Sequence, residues 1–387
     1  MSTPTKILAS VSLIIIVAVI LAVRIIVPTE APDDASTFLD DVIGMNDLAK
    51  QWLFSNVREK GLFVYSLDPA TGEVSEKNNA IRQLMASRVL AAESHTDETL
   101  LELHQRNLDF VMEYWYRETA GEGYVYYDDK SKLGANAMLL RTLVASPLLL
   151  DYQDEAAALV RGILALQHDD GSFSAWYREP DYEYDEDYLL TFYSGEALLA
   201  LTEYHQAIGY DGLLESIEKS ASYYVDLYAS DLEENYYPAY VPWHTMAYRY
   251  LFPMTGDNRY ADAIFILNDK LLELQDTSDQ VGRFYNPDTP EYGNPHASSD
   301  AVYTEGLAYA YEVAVMVDDK EHADRYQEAI ELSLQNLMSL QYREEIKSEM
   351  EPEDYLGAIR IREDSSWIRV DTAQHAIDAF DQILRVF

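Results

Sequence analysis

Six times along this chain a short glycine- or tyrosine-rich turn separates two helical segments, and this repeat constrains the fold more than any other feature. The turns are Gly61-Leu-Phe-Val-Tyr, Gly123-Tyr-Val-Tyr-Tyr, Gly171-Ser-Phe-Ser-Ala-Trp, Tyr236-Tyr-Pro-Ala-Tyr, Gly282-Arg-Phe-Tyr and Gly357-Ala-Ile-Arg-Ile. The gaps run irregularly from about 46 to 75 residues, never long enough to hide a missing unit. An amphipathic segment precedes each turn. After Asp319, for example, Tyr326, Ile330, Leu334 and Leu337 share one stripe, with Glu321, Asp324, Glu328 and Glu331 largely off it. The segment after each turn is apolar on every side, as in 133–150, 195–204 and 306–317, which is the pattern of a helix buried all round.

The pattern predicts twelve helices at 37–58, 79–93, 97–118, 132–145, 152–168, 189–208, 212–229, 243–254, 257–276, 299–317, 320–342 and 366–385, with Thr96-Asp97 and Asp257 as N-caps of two of them. Short connections favour antiparallel neighbours. Six pairs is the number that closes, so the expected fold is all-α: an (α/α)6 toroid of six helical hairpins over residues 37–387, rather than an open solenoid. Strand-like pieces such as 124–127 and 358–361 are expected as short hairpins in the turns.

The N-terminus is different. Residues 7–27 are apolar or small but for Arg24, about the length that crosses a hydrocarbon core. Only residues 1–6 precede this span, and residues 28–36 follow as an acidic tether. No small-x-small cleavage pattern follows the apolar run, so an uncleaved anchor is read in preference to a signal peptide. The short tail, with Lys6, puts the N-terminus in the cytoplasm and the main domain outside the cell membrane. The chain is strongly acidic, and nearly all of its charge lies in that domain: 28 Lys+Arg against 68 Asp+Glu over the full length give a net charge of −40, which repels nucleic acid and argues against it as a partner. With 48% hydrophobic residues the chain still affords a large core. Cysteine is absent, which excludes thiol catalysis, iron–sulfur clusters and cysteine-bound zinc.

If all six turns lie on one face of the ring, the starts of the buried helices converge on one cavity mouth. The polar residues there are the candidate site. The carboxyls are Glu196, Asp300, Glu305 and Asp371, and the histidines are His244, His296 and His375. Glu196 stands alone in an apolar helix, so it either pairs with an arginine or serves the cavity. Asp300 falls in a first helical turn, where a carboxylate also caps. Asp371 and His375 are four apart, on one helix face. Asn79, Arg82 and Arg369 could hold a carboxylate or a sugar hydroxyl. Tyr127, Trp176, Tyr193, Trp243 and Tyr285, from a chain with 31 tyrosines, could stack on sugar faces or simply pack the turns. The acidic, aromatic segment 178–188 reads as a solvated lid, with a calcium site as the alternative. No Walker loop, dinucleotide-binding glycine pattern or His-Glu-x-x-His occurs, and neither a cofactor nor a metal is expected.

The helix pairs, the Asp170-Gly171-Ser172-Phe173 turn, the Tyr193-Ser-Gly-Glu-Ala-Leu-Leu-Ala start and Pro295-His296-Ala-Ser-Ser-Asp-Ala-Val-Tyr-Thr-Glu305-Gly-Leu resemble the six-hairpin glycosidase superfamily. The last motif is most similar to its N-acylglucosamine 2-epimerase-like branch. The resemblance implies an enzyme with a carbohydrate substrate. Inverting hydrolases of this fold use two carboxylates, implying a choice among Glu196, Asp300, Glu305 and Asp371. Epimerases use histidines, implying His244, His296 and His375. The leading expectation is a glycoside hydrolase acting on surface or extracellular glycans, with Glu196 and Asp300 as its acid and base. The alternatives are a sugar epimerase or polysaccharide lyase, and a non-catalytic toroid that binds a glycan or a protein.

Overall fold

The computed structural model describes residues 33–343 and 355–387. The expected membrane span, the tail before it and residues 28–32 of the tether lie outside the described residues. Among those described, no helix is long and apolar enough to cross a membrane.

Twelve long helices are present among them: α1 (Asp33–Ser55), α2 (Ala80–Glu93), α3 (Glu98–Tyr114), α4 (Leu133–Ala145), α5 (Gln153–Leu164), α6 (Glu186–Ile208), α7 (Leu213–Tyr228), α8 (Tyr240–Thr255), α9 (Asn258–Leu272), α10 (Ala297–Met316), α11 (Lys320–Leu340) and α12 (Val370–Val386). A single helical turn, Leu232–Asn235, sits between α7 and α8. Even-numbered helices are inner and odd-numbered ones outer. The inner helices pack in chain order, α2 on α4, α4 on α6, α6 on α8, α8 on α10 and α10 on α12, and α12 returns to α2. The ring is closed, as an (α/α)6 toroid requires.

Composition explains the two layers. On α10 nearly every residue from Ala297 to Ala310 is buried, whereas α11 buries only the stripe Tyr326, Ala329, Ile330, Ser333, Leu334, Leu337 and Leu340. Asp97 accepts from the Thr99 and Leu100 amides, and Asp257 from Arg259, so both expected caps form. Several boundaries differ from the expectation. Helix α3 stops at Tyr114 because β3 (Tyr116–Thr119) turns through Ala120-Gly121 and pairs with β4 (Glu122–Val125). Helix α6 starts earlier, at Glu186, capped by Asp185 on the Tyr188 amide, so the acidic segment before it ends in a helical turn. Before α2 and α12, β1 (Ser66–Asp68) pairs with β2 (Glu73–Val74) and β7 (Ile368–Arg369). Before α4, β5 (Ser131–Lys132) pairs with β6 (Trp176–Arg178).

The turn glycines hold each hairpin to the next. In the turns after α1, α5, α9 and α11, Gly61, Gly171, Gly282 and Gly357 all have positive φ, and each lies against the backbone of another outer helix: α3, α7, α11 and α1 respectively. A Cβ on Gly171 would stand 2.5 Å from the Lys219 carbonyl oxygen, and one on Gly357 1.9 Å from that of Leu48. A glutamine repeats the link: the amides of Gln167, Gln275 and Gln341 donate to the carbonyls of Ser216, Ala329 and Met45. Gly44 is the opposite case, an exposed glycine inside α1 with nothing within 4 Å of its missing Cβ. Gly44→Ala is expected to stabilise the protein by about 0.5–1 kcal/mol through helix propensity alone, read as a rise in denaturation midpoint.

Candidate active site

The starts of five inner helices, together with the segment after α9, enclose a cavity of about 490 Å³. Asn79, Arg82 and Met85 of α2 and its cap line one side, with Tyr188, Phe192, Tyr193 and Glu196 of α6 beside Trp243 of α8. His296, Ser298, Val302 and Tyr303 of α10, and Arg369, Asp371 and His375 of α12, complete the wall. A smaller annex of about 170 Å³ adjoins it, sharing Asn79 and Ile81 and lined by Tyr127, Asp128, Lys130, Lys132 and Tyr182. The remaining inner helix start, that of α4, reaches the site only here, through Lys132 and Ala135.

Glu196 is buried. Its Oε2 has no hydrogen-bond partner and lies where a Cβ on Gly134 of α4 would come within 2.2 Å. Burial raises its pKa to about 8, against the pull of Arg141 and Lys132. At neutral pH it is a protonated acid in the cavity wall.

Asp371 has the opposite character. Burial disfavours its charge, but Arg82 and Arg369 overcome this and hold it well below the usual carboxylate range. Arg82 Nε lies 2.8 Å from Oδ2, and Arg369 grips both carboxylate oxygens. Arg82 also donates to the Tyr65 hydroxyl at 2.7 Å, and Arg369 to Ser298 Oγ at 3.2 Å. Ser298 continues the chain to His296. The Ser299 amide donates to His296 Nδ1 at 3.1 Å and Ser298 Oγ lies 2.8 Å from it, so His296 is the N-cap of α10. With Nδ1 accepting, the neutral ring carries its proton on Nε2. His375, one turn beyond Asp371, meets the Trp243 ring edge-on with centroids 5.9 Å apart. Burial lowers both histidines to about 4, so each is an uncharged imidazole at neutral pH.

Four expected site residues lie elsewhere. Asp300 does not line the cavity. Its oxygens accept from the Phe284 amide (3.0 Å) and from Asn336 Nδ2 (2.8 Å), which ties the turn after α9 to α11. Its carboxyl, raised to about 7 by burial, is a structural brace. Glu305 is five residues beyond Asp300 on α10, among Arg88, Arg141, Glu203 and Asp378, in a polar layer below the cavity. There Arg141 pairs with Glu203 and Arg88 with Asp378. His244 faces the outer helix: its ring sits among Tyr224, Tyr228, Tyr240 and Tyr248, and Nδ1 donates to the Tyr240 carbonyl at 2.9 Å. Trp176 is buried against Tyr184. Tyr127 stands in the annex, edge-on to Trp115, while Tyr285 is in the main cavity. Among the described residues no group of three or more His, Asp or Glu is placed to hold a metal ion.

Beside Tyr237 of the fourth turn, the aromatic wall contains residues not singled out from the sequence, chiefly Tyr188, Phe192, Tyr292 and Tyr303. Tyr237 lies edge-on to both Tyr188 and Tyr292, with centroids 5.8 Å apart in each pair. A signal existed: Tyr188, Phe192 and Glu196 follow one another at four-residue spacing, on one helix face. It was hidden because α6 was expected to begin only at 189.

No protein-family model and no curated protein matches the chain. Among solved structures, it is similar to a cellobiose 2-epimerase from Bacillus thermoamylovorans (TM-score 0.65, 12% identity, 89% of this chain and 99% of that one). It is also similar to the GH76A α-1,6-mannanase of a Salegentibacter species (0.60, 12%, 90% and 100%). A third is an unsaturated glucuronyl hydrolase specific for heparin (0.62, 10%, 90% and 98%). At these identities the likeness is one of fold: the chain has the six-hairpin (α/α)6 architecture that these enzymes share.

Proposed function

We propose that this protein is a membrane-anchored carbohydrate-active enzyme, a glycoside hydrolase with Glu196 as its proton donor. The observation that carries the reading is Glu196 itself, a cavity-lining carboxyl kept protonated by burial and held by no fixed partner. A general acid for glycosidic cleavage needs those properties at neutral pH. The wall of tyrosines with Trp243 suits the apolar faces and hydroxyl rims of sugars. The likeness in fold to a mannanase and a glucuronyl hydrolase agrees with this reading. The partner that activates water is His375, an uncharged imidazole beside Asp371. Asp371, with both oxygens taken by guanidiniums, is a weak base, and it serves to fix the two arginines. Residues 7–27 tether the enzyme with its cavity outside the cell. Release of the native chain from membranes by high salt alone would remove this part of the proposal.

A second reading is favoured by one specific observation. His296 and His375 are both neutral and line the same cavity, as a proton exchange at a sugar carbon next to a carbonyl requires. One experiment separates the readings: incubation of the full chain with a glycan panel in D2O. Hydrolysis is expected to release new reducing ends without carbon-bound deuterium. Deuterium at the carbon beside the carbonyl, with no cleavage, overturns the hydrolase in favour of the epimerase. Saccharide binding with neither product leaves a binding protein.

A further inference from the structure

The chain carries a net charge of −40, yet its cavity has the opposite sign. The ionisable side chains lining the main cavity, tyrosines aside, are Arg82, Arg369, Asp371, Glu196, His296 and His375. With Glu196 protonated and the imidazoles neutral, two cations face one anion. In the annex Lys130 is paired with Asp128, while Lys132 forms no ion pair among the described residues. Lys132 is also placed against the usual electrostatics. It is the N-cap residue of α4, where the helix dipole opposes a cation. Its Nζ rests 5.6 Å from the Trp176 ring centroid and 5.8 Å from that of Tyr193. Burial lowers its pKa, the direction an unpaired ammonium takes and one that a bound anion reverses.

The polar groups around it point the same way. The side-chain oxygen of Asn79 accepts from the Arg82 amide, and that of Asn78 from Gln83 Nε2. With its acceptor engaged, Asn79 has its NH2 left to offer the annex beside an unpaired ammonium, whereas the Asn78 amide faces the Tyr127 hydroxyl. We infer that the substrate is an acidic sugar, a glycuronic acid unit whose carboxylate is received in the annex by Lys132 and Asn79 while its ring lies in the main cavity. This rests on reading the cavity as a sugar site, and it adds the substrate class. An anionic glycan approaching so acidic a protein meets a repulsive field screened within about 8 Å at physiological salt. A locally positive pocket is what lets such a ligand in.

The test is titration calorimetry on the full chain in detergent. The probes are short oligomers of glucuronate, galacturonate and mannuronate, each beside its neutral methyl ester, with sulfated and unsubstituted oligosaccharides as further arms. At least one free acid is expected to bind roughly 10- to 100-fold tighter than its ester, the worth of one charge-assisted contact. That margin should vanish in Lys132→Met and return in Lys132→Arg, with the melting temperature of each variant confirming that it folds. Esters or unsubstituted sugars that bind as tightly as the acids overturn the inference and leave the sugar-site reading intact. So does a Lys132→Met loss that is equal for charged and neutral ligands, and so does a preference for sulfated sugars. Failure of every probe, charged or neutral, to bind removes both the inference and the function proposed above.

Discussion

Glu196→Gln is expected to lower turnover by roughly 10²- to 10⁴-fold, the usual worth of a general acid, while leaving the fold intact. The amide keeps the shape of the carboxyl and removes the transferable proton. A structural carboxylate would behave differently. Had Glu196 been ionised and paired, like Glu203 with Arg141, the amide would cost stability and leave an uncompensated buried charge. The structure gives Glu196 no such partner. Linkage adds a signed expectation. The folded pKa of about 8 lies above the ordinary 4.5, so the native state holds a proton that the unfolded chain releases between these values. Stability from this group is therefore full below about pH 4.5 and is lost as pH rises towards 8, a few kcal/mol at most. The glutamine variant loses this penalty, so at pH 8 it should melt no lower than the parent. Activity of the parent should fall as pH rises through about 8, when the acid ionises. Melting temperature and turnover measured across pH 5–9 check both statements. A fully active glutamine variant excludes Glu196 as the donor, and a destabilised one makes it a structural carboxylate.

How much of this was legible beforehand depends on which physical signal each residue carries. The toroid was legible because burial on all sides and burial on one stripe leave different patterns, and α10 and α11 show both. The mouth of the cavity followed from topology, which brought Asn79, Arg82, Glu196, His296, Asp371 and His375 together in one wall. What the pattern could not say was which way a side chain points from a buried helix. Asp300 and Asp371 both fall in the first turn of an inner helix, yet one turns outward to brace α11 and the other inward to two arginines. His244 follows Trp243 directly, and on a helix successive residues face different ways: Trp243 reaches the cavity and His244 the outer layer. Glu305 was misplaced in depth rather than direction, since a helix long enough to span the ring carries polar residues on more than one level. Motif glycines were ambiguous too. Gly195 is small because the Trp243 Cβ would come within 2.5 Å of any Cβ placed there, so its part in the Tyr193-Ser-Gly-Glu motif is packing.

Gly357→Ala is expected to be among the most damaging single substitutions in the chain, at about 3–5 kcal/mol. Two costs coincide there. The backbone holds φ at 89°, a region in which any side chain is strained. The added methyl would also stand 1.9 Å from the Leu48 carbonyl oxygen and 2.4 Å from its carbon, so backbone must move, and neither atom belongs to a flexible side chain. The position matters beyond its local strain because this turn, after the last outer helix, seats on α1, the first. The contact joins the ends of the repeat, with the Gln341 amide donating to the Met45 carbonyl at 2.9 Å alongside it. Displacing the turn loosens closure itself, whereas Gly72→Ala, at a positive φ of 72° but in open space, carries only the backbone strain. Denaturant midpoints of the two variants, measured beside Gly44→Ala, separate the terms. Gly44→Ala should rise, Gly72→Ala should fall by about 1–2 kcal/mol, and Gly357→Ala should fall furthest. Equal losses at positions 72 and 357 would mean that the seat on Leu48 contributes nothing and that closure of the ring rests on the inner helices alone.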